Sequence, residues 1–223
     1  MDARQKTILV AAVLGLVVSI SVGYIIGTGL VGPRIEENRP AEVYGSVSVT
    51  RWDKPAPVFT VNSTKGVITF PVKGKVNVIT PQYVRCPDIC HLESQMMVYA
   101  MEKLKEEGLL DQVVFITVDV DPWNGTMDMA RDYQRRVAKD LLDDVEWIWV
   151  LDSVEKMQEI YNAYDIYVER VKHGTVYLVN HFGGFFIIDK DGTLRYIVHP
   201  DWNKIYDTAV VLHDKIVEVI KEG

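Results

Sequence analysis

The chain has 223 residues, with 24 basic and 31 acidic side chains and a net charge of −7. That balance argues against nucleic acid as a partner, while an acidic surface suits basic patches on partner proteins. Its two cysteines, Cys86 and Cys90, are too few for a disulfide-stapled scaffold.

Residues 1–6 carry Arg4 and Lys6, and no charged residue follows from Thr7 to Gly32. About 20 apolar residues span a bilayer, so 7–32 reads as one transmembrane anchor. The basic start keeps the N-terminus cytoplasmic and sends the rest outside. The expected location is therefore the cell membrane, single-pass, with an extracytoplasmic C-terminal domain. A cleaved signal peptide is the competing reading, but its apolar region is normally only about 7–15 residues. Gly23 and Gly27 fit a helix-pairing spacing as well as ordinary small residues of a membrane helix.

Residues 33–52, with Pro33, Pro40 and Gly45 among mixed charges, read as a linker holding at most a short edge strand over 43–49. A domain is expected over 53–223. Val58–Val61 and Gly66–Phe70 predict a hairpin, and 75–80 a strand. A helix is predicted from Cys86 to Glu107, ending at Gly108. Then come a buried strand at 113–118, a helix from a Thr126 cap to about Leu142, and a strand at 147–151. Ser153 caps a further helix. A hairpin at 185–198 turns through Asp189–Gly192, and Asp201 starts a last helix ending near Lys221. Alternating strands and helices closed by a hairpin and a helix predict an α/β three-layer domain with an N-terminal hairpin extension.

Cys86-Pro87-Asp88-Ile89-Cys90 falls where the first central strand meets its helix, a thioredoxin-like position. A helix N-terminus lowers a thiol pKa. At i and i+4 the two sulfurs can share a face and either form a redox pair or grip a soft ion such as Cu(I). A trigonal site wants one histidine more. Five are available: His91, His173, His181, His199 and His213. His91 points about 100° away from Cys90 on a helix and is a reserve ligand, and a Cys2His2 set would suit zinc. His173 is expected in a polar loop, His199 at a strand end and His213 in the last helix. His181 precedes an apolar strand whose loop approaches the cysteine helix in a thioredoxin-like fold. Met96 and Met97 offer thioethers but are spaced as core residues. Asp119 and Asp121 read equally as site lining, partner contact or a helix-capping loop.

Ala56-Pro57-Val58-Phe59, Gly74-Lys75, Tyr83-Val84-Arg85-Cys86-Pro87-Asp88-Ile89-Cys90, Val120-Asp121-Pro122, Asn180-His181 and Ile188-Asp189-Lys190-Asp191-Gly192 together resemble the Sco/SenC family. The resemblance covers nearly all of the outer domain. It implies a thioredoxin-like fold and one copper ion, Cu(I) or Cu(II), held by Cys86, Cys90 and His181. It implies a role in assembling the copper A centre of cytochrome c oxidase, as copper metallochaperone, as thiol-disulfide reductant through Cys86 and Cys90, or both. The implied partner is the oxidase's copper-binding subunit or another extracytoplasmic copper or thiol protein. The chain departs from the family in having His91 where Pro is usual, Asn180 for Asp and Phe182 for Ser, and in an extended Val120-Asp121 loop. These changes alter charge beside the ligands.

Other readings are a metal-independent thiol-disulfide oxidoreductase, a peroxiredoxin-like peroxidase and a binding module with a structural disulfide. The peroxidase reading lacks its spacing: Pro81 lies five residues before Cys86 rather than seven, and Tyr83 stands where Thr or Ser is required.

Overall fold

A computed structural model describes residues 42–223, side chains from Gly45 onward. The anchor expected over 7–32 and residues 33–41 of the expected linker lie outside the described residues. Among those described, no helix is long and apolar enough to cross a membrane.

Eleven strands are described: β1 (Glu42–Tyr44), β2 (Val47–Pro55), β3 (Phe59–Ser63), β4 (Gly66–Phe70), β5 (Val76–Gln82), β6 (Val113–Asp119), β7 (Trp147–Val150), β8 (Val168–His173), β9 (Val176–His181), β10 (Phe185–Ile188) and β11 (Thr193–His199). The helices are α1 (Cys90–Glu106), α2 (Met127–Ala138), α3 (Val154–Ala163) and α4 (Ile205–Glu222). Nine strands form one sheet in the order β1-β2-β11-β10-β5-β6-β7-β3-β4, and β8–β9 form a separate two-stranded sheet. β5, β6 and β7 run parallel. β10 joins β5, and β11 joins β10, antiparallel.

The period of two along each strand divides the core between the faces of the sheet. Phe115, Trp147, Trp149, Phe185 and Ile187 pack on one face with Met97 and Leu104 of α1 and Leu212 and Ile216 of α4. Val114, Ile116, Ile148, Phe186 and Ile188 pack on the other with Met157 and Ile160 of α3. That makes three layers, and both central strands are buried along their whole length, as parallel strands covered by helices must be.

Several expectations need correction. The linker does not extend to residue 52. Val47 and Val49 are buried, and β2 pairs along β11, so this stretch belongs to the sheet. Its alternation of apolar with polar residues buries one face, which its mixed composition disguised. The helix expected from Cys86 begins only at Cys90, with Cys86–Ile89 forming the turn that enters it. α2 stops at Ala138, where Lys139 adopts a φ of 50°, and a short 3-10 turn carries the chain to Asp143. Asp201 does not begin α4, which starts at Ile205. The β8–β9 hairpin is new, and His173 ends a strand rather than sitting in a loop. The Thr126 and Ser153 caps are present, each hydroxyl accepting a backbone N–H from Met129 or Lys156.

Candidate metal centre

Three elements converge on the cysteines. The turn after β5 supplies Cys86, the first residue of α1 supplies Cys90, and the end of β9 supplies His181. Their ligand atoms all lie within 4.8 Å of one another. Cys90 Sγ stands 3.4 Å from His181 Nε2, and the Cys90 amide approaches Cys86 Sγ at 3.4 Å. Both cysteines are free thiols; Cys90 is buried and Cys86 half-buried. A cavity of about 210 Å³ lined by Cys86, Asp88, Ile89 and His181 opens beside them.

His181 Nδ1 lies 2.7 Å from the Phe182 carbonyl oxygen. A carbonyl only accepts, so Nδ1 carries a proton, and in the neutral ring Nε2 is left to present its lone pair toward the sulfurs. That is the tautomer a metal requires. The Tyr83 ring meets the imidazole edge-on at 5.8 Å.

The two thiols are electrostatically unequal. A hydrogen bond from the Cys90 thiol, helped by His181 and the Cys90 and Asp88 amides, outweighs partial burial and brings Cys86 down to about 4. Burial, then the neighbouring Cys86 sulfur and the charge of Glu93, push Cys90 far above the usual thiol range. Cys86 is thus a thiolate at neutral pH while Cys90 holds its proton, until a cation supplies the charge that burial denies.

The other sequence candidates fall elsewhere. His91 is exposed and outside the cluster. Met96 and Met97 are core. His199 faces Thr50 at 3.3 Å, and His213 contacts Glu107 and Asp214. Asp119 is buried and accepts from Trp149 Nε1 at 2.8 Å and the Asp121 amide at 2.7 Å. Burial still raises it to about 7. Asp121 accepts from Asn124.

Sequence reasoning missed the groups that brace the site. Gln82 ends β5 and donates to the Cys90 carbonyl at 2.9 Å, and Glu93 accepts from the Gly184 amide at 2.9 Å. The i, i+3 spacing of Glu93 from Cys90 was the available signal.

A family model described as SCO1/SenC matches residues 57–212. The chain belongs to the SCO1/SenC family. Among curated members, this SCO1/SenC chain is 25% identical over 131 residues to "Protein SCO1 homolog 1, mitochondrial" of Arabidopsis thaliana, covering 58% of the chain and 34% of that relative. It is 27% identical over 122 residues to "Protein SCO2, mitochondrial" of Saccharomyces cerevisiae, covering 54% and 39%. The match thus spans well under half the length of either curated relative.

Solved structures share the thioredoxin-like α/β fold. Arabidopsis thaliana ScoI with copper bound superposes at a TM-score of 0.62 and 22% identity, over 75% of this chain and 99% of that one. Yeast Sco1 with copper bound gives 0.63 and 21%, over 76% and 90%. BsSco, described as having a disulfide switch and as a member of the Sco family of cytochrome c oxidase assembly proteins, gives 0.58 and 16%, over 81% and 98%. At these identities the likeness establishes the fold.

Proposed function

We propose that this protein binds one copper ion through Cys86, Cys90 and His181 and serves the assembly of the copper A centre of cytochrome c oxidase. The observation that carries the reading is the meeting of two sulfurs and an imidazole nitrogen within 4.8 Å, with the other ring nitrogen held by the Phe182 carbonyl. Two thiolates and one imidazole suit Cu(I), whose soft character favours sulfur. Copper-bound relatives of the same fold support the choice of metal. The description of BsSco as an assembly protein supports the choice of pathway. Cys86 is half-buried at the mouth, where the copper-binding subunit of the oxidase can reach the ion as cargo. The uncharged run from Thr7 to Gly32 supports a single membrane anchor with the domain outside the cytoplasm.

Copper titration of the full chain with a competing chelator tests this. One copper per chain is expected, lost in Cys86→Ala, Cys90→Ala and His181→Ala. A wild-type chain that stays metal-free with both thiols reduced would defeat the reading.

The inequality of the thiols favours a second activity at the same site, thiol-disulfide exchange. The Cys86 thiolate attacks one sulfur of a target disulfide, forming a mixed disulfide and expelling the other target sulfur as a thiolate. Cys90 then gives up its proton and attacks Cys86 Sγ. The second target thiolate leaves, the target is reduced by two electrons, and Cys86–Cys90 is oxidised. An extracytoplasmic dithiol must restore the pair. His181→Ala separates the two activities, removing copper binding but sparing disulfide reduction.

A further inference from the structure

Close to the three ligands lies a buried carboxyl that is not one of them. Glu93 is 0% exposed and sits one turn along α1 from Cys90. Burial drives its pKa well above the usual range, outweighing the Gly184 and Gln82 amides that favour the anion. Oε1 accepts from the Gly184 amide at 2.9 Å, and Oε2 has no hydrogen-bond partner. An apolar side chain would fill this position without the cost of desolvating an acid. Its bond to the Gly184 amide is therefore the feature to explain.

That bond lands on a strip with little freedom. Gly184 follows His181 by three residues. A Cβ on Gly183 would lie 2.7 Å from Trp202 Cζ2 and 2.8 Å from Ile89 Cδ1, so the strip runs tightly against the turn that enters α1. A Cβ on Gly184 would lie 2.7 Å from the Val198 carbonyl oxygen and 2.9 Å from the Phe182 ring. Phe182 supplies the carbonyl that orients His181 Nδ1. Glu93 thus ties the helix that carries Cys90 to the strip that carries the orienting carbonyl.

We propose that Glu93 is a positioning residue: by holding Gly184 against α1 it sets the place and tautomer of His181 relative to Cys90 and Cys86. The inference rests on Cys86, Cys90 and His181 being the metal-binding set. Groups that orient a ligand without touching the metal change affinity about 10–100-fold when removed, which puts the effect within reach of measurement.

The test uses the full chain in mild detergent. In the metal-free protein, nitrogen NMR of His181 is expected to show one tautomer, protonated on Nδ1. Glu93→Gln keeps an oxygen for the Gly184 amide and should leave that signal intact. Glu93→Leu should give mixed tautomers and speed hydrogen exchange at Gly184 about tenfold. Loaded with copper, Glu93→Leu should bind about tenfold more weakly, while Glu93→Gln should bind as tightly as wild type. A single unchanged tautomer in Glu93→Leu, or a loss of affinity in Glu93→Gln as large as that in Glu93→Leu, overturns the proposal. A wild-type chain that takes no copper defeats the proposed function, and the metal-free tautomer and exchange measurements still decide the role of Glu93. If Glu93→Leu does not fold, the wild type decides: a coupling across the hydrogen bond between the Gly184 nitrogen and the Glu93 carboxyl carbon is expected, and its absence overturns the proposal.

Discussion

Replacing Gly183 by alanine isolates the contact that seats the histidine strip. Its φ lies outside the left-handed region, so the backbone accepts alanine and the cost is contact alone. The new methyl would stand 2.7 and 3.0 Å from two ring atoms of Trp202 and 2.8 Å from Ile89 Cδ1. Carbon atoms rest at about 3.5–4.0 Å, so the overlap is roughly 1 Å against each neighbour. Ile89 can rotate its terminal methyl aside, but the indole is rigid and must move as a body or push the strip away from α1. Overpacking of this kind costs about 1–3 kcal/mol. The half-buried position of Trp202 leaves the ring room to tilt and favours the lower part of that range. A shift of the strip carries His181 away from Cys90, now 3.4 Å distant, and copper affinity should fall about tenfold or more. Urea unfolding gives the first quantity and chelator competition the second. Gly66→Ala is the control. It places a methyl in open space at a φ of +92°, so it should cost stability through backbone strain while leaving copper binding unchanged. If Gly183→Ala unfolds within about 0.5 kcal/mol of wild type and binds copper as tightly, the contact does not seat the histidine.

Alkylation followed against pH should show Cys86 reacting with a midpoint near 4, with Cys90 unreactive under native conditions; a Cys86 midpoint near 9 would refute the thiol asymmetry. Asp119 is raised to about 7 from 3.8, so the native state holds a proton that the unfolded chain has lost, and its contribution to stability falls as pH rises from about 4 to 7. Cys86 contributes the opposite slope, so the difference between wild type and Asp119→Asn is the quantity to follow; an equal pH slope in both would contradict the buried acid. Ser153→Ala removes the cap of α3 and should cost about 1 kcal/mol, seen as an earlier denaturant midpoint with copper binding intact. Trp149→Phe takes the indole donor from a buried carboxyl and should cost about 1–3 kcal/mol; a smaller loss would mean that water replaces the indole.

Most of the architecture can be read from local pattern. Trp147-Ile148-Trp149-Val150 sends alternate residues into opposite faces of the core, and Thr126 and Ser153 announce their helices because a cap is a local hydrogen bond. The β8–β9 hairpin was legible and overlooked. His173 pairs with Val176 across Gly174-Thr175, a two-residue loop whose glycine has a φ of 62°. The late start of α1 was not legible, because the cap-type residue Asp88 does not hold the N-cap position; Ile89 does, and it makes no side-chain cap.

The sequence by itself determined a close cysteine pair at a strand-to-helix junction, an uncharged N-terminal run long enough to span a bilayer, and the family. It singled out His181 through resemblance to that family. Only the tertiary structure decided the rest. It brought His181 to Cys90 across 91 residues of chain, left His91 facing solvent and made one thiol acidic and the other inert. It also buried Glu93 under the site. The division has one physical cause: period and capping are set by neighbours along the chain, whereas burial, charge and ligand geometry are set by groups that meet only when distant segments pack.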